Sequence, residues 1–315
     1  MELLTTLDQL PEACRGGVAL CIGMFDGLHR GHQLLIETTR RQAERLGLRS
    51  LVFTFTEHPL ALLAPPYAPL LLMSVEDKIE RIRAMGVDLC ALIDFTPEFA
   101  AIAAREFLAS IVSGACQARF VTCGRDFHYG ARGRGDAALL EEEGGRLGFQ
   151  VEVHDALVEG HGPIKSTRVR QSLFDGNIAE AARLLGRPYV LEGRVVQGDR
   201  RGRQIGFPTA NLEPSPRRLV PGNGVYAVRA TAEGRTWDAM TNIGLRPTFQ
   251  GEQRTIETFL FDFSLELYGR ELRLAFIDFV RDEQRFESAE ALAAQLERDR
   301  EACRARLSRA EGGAP

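Results

Sequence analysis

Gly23-Met24-Phe25-Asp26-Gly27-Leu28-His29-Arg30-Gly31-His32 is the stretch around which the rest of the sequence is organised. The apolar run Val18–Ile22 precedes it and predicts a buried strand. Helical periodicity follows it as far as Leu46, and Gly47 is a residue suited to end that helix. The sequence therefore predicts a turn that joins the end of a strand to the start of a helix.

This turn has the chemistry of a phosphate-binding corner. A helix start offers unpaired N–H groups and positive partial charge, and Gly31 lets an anion approach the backbone closely. His29 and His32 add hydrogen-bond donors, and positive charge when protonated, which can stabilise a phosphate under attack. In an open α/β sheet, ligands bind at the edge where the strands end. The plainer alternative is a helix capped by Asp26 that carries two incidental histidines.

The composition is that of a globular protein with about two domains. The chain has 315 residues, of which 44% are hydrophobic and 26% charged. The net charge of −4 lacks the positive excess that is typical of nucleic-acid-binding proteins. No apolar run reaches the ~18 residues of a membrane span. We therefore expect neither nucleic acid nor membrane as a partner. Of the 39 basic residues only Lys78 and Lys165 are lysine, which indicates a compositional bias towards arginine.

The cysteines favour a reducing compartment. They are scattered, without a C-x-x-C pair, and several fall in apolar runs, as is typical of buried free thiols. The six positions are Cys14, Cys21, Cys90, Cys116, Cys123 and Cys303. The segment Met1-Glu2-Leu3-Leu4 lacks the basic region of a signal peptide. A cytoplasmic location is expected.

Strand and helix patterns alternate through the first half of the chain, which predicts an α/β domain with a doubly wound parallel sheet. Further strands are predicted at Ser50–Phe55, Val87–Phe95, Ala118–Cys123 and Val151–His154. Helices are predicted from a cap at Ser74 to Gly86, and at Pro97–Val112, Ala137–Leu147 and Asn177–Leu185.

Two more loops are expected to meet the first turn at the edge of the sheet. One is Gly124–Gly130, after a predicted strand, and the other is Ile164–Arg170, which enters a helix. The second of these can cap its helix and bind phosphates through Ser166, Thr167, Arg168 and Arg170. Taken singly, the two stretches are also typical of a basic surface loop and of a simple N-cap. No G-x-x-x-x-G-K-[ST] loop occurs, so a P-loop kinase is excluded.

After Pro188 the pattern changes to short β runs broken by glycine and proline, which predicts a small antiparallel barrel. Strands are predicted at Val190–Val196, Gly224–Ala230, Trp237–Ile243, Thr255–Phe263 and Leu272–Val280, with a terminal helix at Ser288–Leu307. We therefore predict two domains, residues 1–186 and 187–315.

The barrel half carries its own glycine-rich motif, Gly198–Asn211. Its backbone N–H groups can surround phosphates at Gly198, Gly202 and Gly206. Thr209 and Asn211 are two residues apart, so in an extended segment both point the same way. They offer two neutral oxygens to Mg²⁺, which takes its other ligands from water and phosphates. The plainer alternative is a hairpin loop followed by a strand.

Both motif sets resemble one family, the bacterial bifunctional riboflavin kinases/FAD synthetases. Residues 23–32 resemble the G-x-F-D-G-x-H-x-G-H signature of FMN adenylyltransferases, and residues 206–211 the G-F-P-T-A-N motif of riboflavin kinases. Similar segments are Phe55–Pro59, Cys123–Gly130, Ser166–Arg170, Asn242–Phe249, Leu267–Gly269 and Phe279–Phe286. The chain departs from the family pattern at Glu57, Tyr129, Lys165 and Phe259.

The resemblance implies two ATP-dependent reactions with Mg²⁺. In the barrel, riboflavin is phosphorylated to FMN with release of ADP. In the N-terminal domain, FMN is adenylylated to FAD with release of pyrophosphate. The resemblance implies ATP contacts at Gly23, Phe25 and Asp26, and flavin contacts at Asp126, Phe127 and Arg281. Glu257 is the candidate base for the riboflavin hydroxyl. Arg281 is equally typical of a structural ion pair, and Glu257 of a surface strand residue.

Two other interpretations stay open from the residues alone. The transferase could act on another small phosphate, such as a pantetheine or glycerol phosphate, or the barrel could be a non-catalytic flavin sensor. Riboflavin, FMN and ATP are the expected small-molecule partners. The oligomeric state is left open, a homo-oligomer included.

Overall fold

The computed structural model describes residues 1–160, 162–198, 206–248, 251–263 and 266–312. The chain divides into two compact units, Met1–Ser166 and Thr167–Pro315. This division by contacts falls earlier than the predicted domain boundary at 186, and the residues between the two points form two short helices. The domain boundary at 186 stays a prediction.

The first unit is built on a six-stranded parallel sheet. Its strands are β1 (Glu2–Leu4), β2 (Val18–Ile22), β3 (Arg49–Phe55), β4 (Leu89–Ile93), β5 (Ala118–Gly124) and β6 (Gln150–His154). They lie in the order β1-β4-β3-β2-β5-β6, and every pair is parallel. Strands β2 and β4 are buried along their whole length, as expected for a sheet covered on both faces. The predicted doubly wound sheet is confirmed.

Short and long helices cover this sheet. They are α1 (Leu10–Ala13), α2 (Arg30–Leu46), α3 (Leu60–Leu63), α4 (Val75–Ala84), α5 (Pro97–Ala101), α6 (Ala104–Glu106) and α7 (Ala137–Leu147). A π-helix (Phe107–Ala115), three 3₁₀ turns (Leu7–Gln9, Pro65–Tyr67, Ala131–Gly133) and a two-stranded ribbon, β7 (Val158–Glu159) and β8 (Gly162–Pro163), complete the unit. Gly47 ends α2 in the left-handed conformation, with φ of 65°. The Ser74 hydroxyl caps α4 by accepting the Asp77 N–H at 3.1 Å.

The prediction of one continuous helix over Pro97–Val112 is wrong. The backbone is extended at Ile102 and Ala103, and beyond α6 the chain continues as the π-helix. The cause is a close approach by the loop after β5. The Ile102 carbonyl accepts the Ala131 N–H at 2.7 Å, and a Cβ at Gly130 would lie 2.5 Å from the Cα of Ala104. Tertiary contact therefore overrides local helix propensity here.

The second unit is a closed antiparallel barrel, and its described residues also form three helices. The strands are β9 (Tyr189–Val196), β10 (Ala210–Pro214), β11 (Gly224–Ala232), β12 (Arg235–Thr248), β13 (Gly251–Leu260) and β14 (Glu271–Arg281). They close in the order β10-β13-β12-β11-β14-β9, which confirms the predicted small barrel. The helices are α8 (Ser166–Phe174), α9 (Ile178–Leu185) and the terminal α10 (Ala289–Gly312).

The terminal helix packs on the outside of the barrel. Its buried residues Cys303 and Leu307 form one apolar cluster with Ala227, Met240 and Phe261. Across the described residues of the chain, no helix combines the length and the apolar character that crossing a membrane requires. All six cysteines are buried free thiols, as the sequence predicts.

Candidate active sites

The first candidate site lies where the order of the sheet reverses. The chain passes from β2 to β3 and β4 on one side, and places β5 and β6 on the other side of β2. Loops that follow β2 and β5 therefore leave the same edge of the sheet in opposite directions. Ligands of open α/β sheets bind in the crevice that such a reversal creates. The turn after β2 and the predicted loop Gly124–Gly130 after β5 are these two loops.

The turn after β2 is strained. Phe25 and Leu28 have positive φ angles of 49° and 41°, and Gly27 has φ of 80° between them. For residues with a Cβ this left-handed conformation is costly, and it persists where surrounding contacts enforce it. Here the side chains of Phe25 and Leu28 are fully buried in the core beneath α2. Burial of two large apolar side chains is the compensation for this strain.

Hydrogen bonds from the segment before α4 hold the same turn. The buried Asp26 carboxylate accepts the Leu72 N–H, at 3.0 and 3.2 Å to its two oxygens. The Gly27 N–H donates to the Met73 sulfur at 3.2 Å. Asp26 therefore braces the turn, and the alternative in which it caps α2 is not the arrangement found.

His29 is the residue that caps α2. Its Nδ1 accepts the backbone N–H of His32 at 3.3 Å, so Nδ1 is unprotonated and the ring proton lies on Nε2. A Cβ at Gly31 would lie 3.2 Å from the His29 ring, which is tighter than most real Cβ contacts. Glycine at position 31 therefore leaves the space that the His29 ring occupies as it caps the helix.

The two histidine rings form a stacked pair at the start of the helix. Their centroids are 3.6 Å apart at an interplanar angle of 19°, and the rings of His32 and Phe25 form a T-shaped pair. Burial, with the nearby His29 and Lys78, lowers the pKa of His32 well below its ordinary value. His32 is therefore neutral at neutral pH, without the positive charge that the sequence also allowed.

The third predicted loop contacts both of the others. The Ser166 hydroxyl donates to the carbonyl of Asp26 at 3.0 Å, and the Lys165 ammonium donates to the Asp126 carboxylate at 2.8 Å. The hydrogen bond from Lys165 holds the pKa of Asp126 below its usual range. Within the first unit, the three loops therefore converge as the sequence predicts.

The other residues assigned to this site are placed as follows. Phe127 stacks on Tyr129, with centroids 5.4 Å apart. Helix α8 begins at Ser166, whose hydroxyl bonds to Asp26 as described, and Thr167 lies exposed in its first turn. Arg168 forms an ion pair with Glu180 of α9, and Arg170 is partly buried on α8. The phosphate-binding roles of these α8 residues stay predictions.

The second candidate site is on the outer face of the barrel. Asn211 of β10 lies directly opposite Glu257 of β13, so the two side chains share a face. The Thr209 hydroxyl is 3.4 Å from a carboxylate oxygen of Glu257. Thr209 and Asn211 therefore both lie beside Glu257, one by a side-chain contact and the other by strand register.

Gly198 makes room for this cluster. A Cβ at Gly198 would lie 2.2 Å from the amide nitrogen of Asn211, so the glycine backbone is packed directly on that side chain. Gly206 is exposed with φ of 85°, a conformation that favours glycine. Gly202, also assigned to phosphate binding, lies outside the described residues.

Arg281 is held in a buried ion pair. Its guanidinium makes three hydrogen bonds of 2.7 to 3.2 Å with the Asp299 carboxylate of α10, and the Asp299 side chain is 2% exposed. These contacts are those of the structural alternative, in which Arg281 joins β14 to the terminal helix. Contact between Arg281 and flavin stays a prediction.

Two side chains near these sites were missed by sequence reasoning. Lys78 of α4 donates to the carbonyls of Met24 and Phe55, beneath the first turn. The one signal of Lys78 in the sequence is the rarity of lysine, which compositional bias also explains. Asn242 of β12 lies directly opposite Glu257 on the side away from Asn211. Only strand register, which the sequence does not give, places it there.

Comparison with known proteins matches the two halves of the chain to two different family models. The family model FAD synthetase matches residues 12–168, and the model Riboflavin kinase matches residues 185–307. The chain is 38% identical over 300 residues to the bifunctional riboflavin kinase/FMN adenylyltransferase of Escherichia coli (strain K12), covering 95% of this chain and 96% of that protein. The protein of the same description from Bacillus subtilis (strain 168) is 36% identical over 287 residues, 90% of each chain.

The fold is also found in a solved structure. A crystal structure described as a macrolide-efflux protein from Streptococcus pneumoniae has a TM-score of 0.87 and 32% identity, and covers 96% of this chain and 99% of its own. Matches of this length take in both sites together, and the predicted resemblance is confirmed. The chain belongs to the family of bifunctional riboflavin kinase/FMN adenylyltransferases.

Proposed function

We propose that the barrel phosphorylates riboflavin to FMN and that the first unit adenylylates FMN to FAD, each with ATP. The observation that carries this proposal is that one chain holds two chemically different sites. The first offers hydrogen-bond donors at a helix start, beside two stacked histidine rings. The second places a carboxylate, Glu257, beside two neutral oxygen ligands.

Adenylyl transfer needs no base, because the attacking FMN phosphate is already an anion. Its oxygen forms a bond to the α-phosphorus of ATP while the bond to the β-phosphate oxygen breaks and pyrophosphate leaves. We assign His29 Nε2–H, His32 and the N–H groups at the start of α2 to the charge that builds up on the α-phosphate. Gly23, Phe25, Asp26 and Gly31 shape this corner, and Ser166, Thr167, Arg168 and Arg170 are assigned to the phosphates. Asp126 and Phe127 are assigned to the flavin.

Riboflavin phosphorylation does need a base, because a neutral hydroxyl attacks. The 5′-oxygen of the ribityl chain forms a bond to the γ-phosphorus as the bond to the bridging oxygen breaks and ADP leaves. Glu257 takes the hydroxyl proton. The backbone of Gly198, Gly202 and Gly206 is assigned to the phosphates.

The oxygen donors of the barrel site fit a magnesium ion. Thr209 and Asn211 are neutral, lie together beside Glu257 and leave coordination positions for water and phosphate oxygens. When bound there, Mg²⁺ neutralises phosphate charge and orients ATP. The direct packing of Gly198 on Asn211 fixes the amide ligand.

The proposal extends to the setting of the enzyme. Six buried free thiols support a cytoplasmic location. Its partners are riboflavin, FMN and ATP, with neither nucleic acid nor membrane, and a homo-oligomer is compatible with the sequence.

The direct test is incubation of the full chain with riboflavin, ATP and Mg²⁺, followed by chromatography. FMN should appear first and FAD second, with one ADP and one pyrophosphate released per FAD. Formation of no FMN would make the barrel a sensor. A preference for a pantetheine or glycerol phosphate over FMN, in pyrophosphate release, would assign the first unit another substrate.

The substitution Gly198→Ala tests the magnesium site. The added Cβ displaces the Asn211 amide, so the Mg²⁺ concentration for half-maximal riboflavin phosphorylation should rise by about tenfold. FAD formation from supplied FMN is the matched control, because that site lies in the first unit, and it should not change. An unaltered Mg²⁺ requirement of the kinase would remove Asn211 as a ligand.

A further inference from the structure

Lys78 is an unusual residue in this chain. Of 39 basic residues it is one of two lysines, the other being Lys165. Lys165 lies on the surface of a loop, whereas Lys78 is 2% exposed on α4. A chain that uses arginine almost everywhere has kept lysine at a buried position. A long basic side chain is rarely buried to this extent without specific partners.

The partners of Lys78 are two backbone carbonyls, one at the end of a strand and one in the turn after β2. Its ammonium donates to the Phe55 carbonyl at the end of β3, at 2.9 Å, and to the Met24 carbonyl in the strained turn, at 3.2 Å. The Met24 carbonyl also accepts the Thr54 hydroxyl at 3.1 Å. A single cation thereby ties the turn after β2 to the end of the neighbouring strand.

The position between the Met24 and Phe55 carbonyls suits an ammonium better than a guanidinium. An ammonium is a compact point donor, whereas a guanidinium is a flat fork of five N–H groups. One acceptor is a carbonyl of the turn after β2 and the other is the carbonyl of the last residue of β3, and Lys78 reaches both from a buried position. We expect an arginine at this position to displace either the turn or the end of β3, because its head group is larger. This steric limit explains why the general use of arginine does not extend to residue 78.

Lys78 interacts electrostatically with residues of the first site. Burial lowers the pKa of Lys78 to about 8, while the field of Asp26, and then that of Cys90 on β4, opposes this shift. With a pKa of about 8 the ammonium is mostly charged at neutral pH. Lys78 in turn is one of the groups that keep His32 of α2 neutral.

We propose that Lys78 is a positioning residue for adenylyl transfer, which sets the strained turn by holding the Met24 and Phe55 carbonyls together. This inference rests on the proposed adenylyl transfer in the first unit. The proposed role does not require Lys78 to contact the substrate. Lys78 acts through the turn that carries Asp26 and leads into His29 and His32.

The test compares three variants of the full chain. Lys78→Met removes the charge at similar length, and Lys78→Arg keeps the charge but enlarges the head. Arg83→Met is the matched control, because it removes a positive charge from an exposed position of the same helix. Both Lys78 variants should lower kcat for FAD formation from FMN by about 10- to 100-fold. Arg83→Met and riboflavin phosphorylation by all three variants should match the wild type.

Two further readouts report on the turn itself. Hydrogen exchange of amides in residues 23–33 should accelerate in both Lys78 variants, while those of β4 stay protected. The chain has six histidines, so the ring of His32 can be followed by NMR. Loss of the positive charge in Lys78→Met should raise the pKa of His32 towards its ordinary value.

The outcomes distinguish failure of the positioning role from failure of the proposed adenylyl transfer. If the wild type makes no FAD, the proposed adenylyl transfer fails. If the wild type makes FAD and Lys78→Met does so at the same kcat, the positioning role is overturned. If hydrogen exchange accelerates throughout the first unit of Lys78→Met, that variant is unfolded and the test passes to Lys78→Arg. Wild-type kcat and exchange in the arginine variant would overturn the inference, and a slow enzyme with a loosened turn supports it.

Discussion

Replacing Glu257 by glutamine is expected to lower the rate of riboflavin phosphorylation by about 10²- to 10⁴-fold, the usual contribution of a positioned general base. Glutamine has the same size and can still accept the Thr209 hydroxyl, which lies 3.4 Å from the carboxylate. It cannot take the proton of the attacking hydroxyl. The measurement is FMN formation from riboflavin, ATP and Mg²⁺ under saturating substrate.

Two controls make this result specific. Glu271→Gln removes an exposed carboxylate from β14 of the same barrel, and should leave the kinase rate unchanged. FAD formation from supplied FMN should also be unaffected in the Glu257 variant. An unchanged kinase rate would remove Glu257 as the base. Equal loss of both reactions would contradict two separate sites.

The local signals of the sequence predicted most of the first unit. Apolar runs of the β2 type become strands buried on both faces, because a parallel sheet covered by helices requires this pattern. Ser74 and Gly47 were recognisable as caps, because capping depends on residues that are neighbours in sequence. These predictions needed no knowledge of the tertiary structure.

Predictions that depended on tertiary contact were less complete. The break at Ile102 follows from the approach of Gly130, which is distant in sequence. Strand β10 closes the barrel between β9 and β13, and was expected only as an extended segment. A strand of five residues has a weak local pattern, and its pairing is decided by its neighbours.

The candidate sites show the same difference. The spacing of Thr209 and Asn211 was sufficient to place them together, because alternate residues of an extended segment share a face. The cap of α2 was missed, since histidine is not among the usual capping residues. The burial of Lys78 was missed because a sequence records the presence of a lysine and not its surroundings.

His29 caps α2 and is also the proposed donor to the α-phosphate, and a single substitution would affect both. His29→Ala should lower the rate of FAD formation from FMN by at least about 10²-fold, as for loss of one preorganised donor to a developing charge. The same change removes the cap of α2, in which His29 Nδ1 accepts the His32 N–H. Loss of such a cap costs about 1 kcal/mol of stability. Riboflavin phosphorylation should persist, because its residues lie in the second unit.

His29→Asn separates the cap from the chemistry. Asparagine is a good N-cap, so this variant should melt close to the wild type, whereas His29→Ala should melt earlier. The asparagine side chain does not reach as far as Nε2 of the imidazole, so adenylyl transfer should be as slow as in the alanine variant. Thermal melting and pyrophosphate release measure the two effects independently. If asparagine restored the rate together with the stability, His29 would be a cap alone, and the charge on the α-phosphate would have to be met by His32 and the helix start.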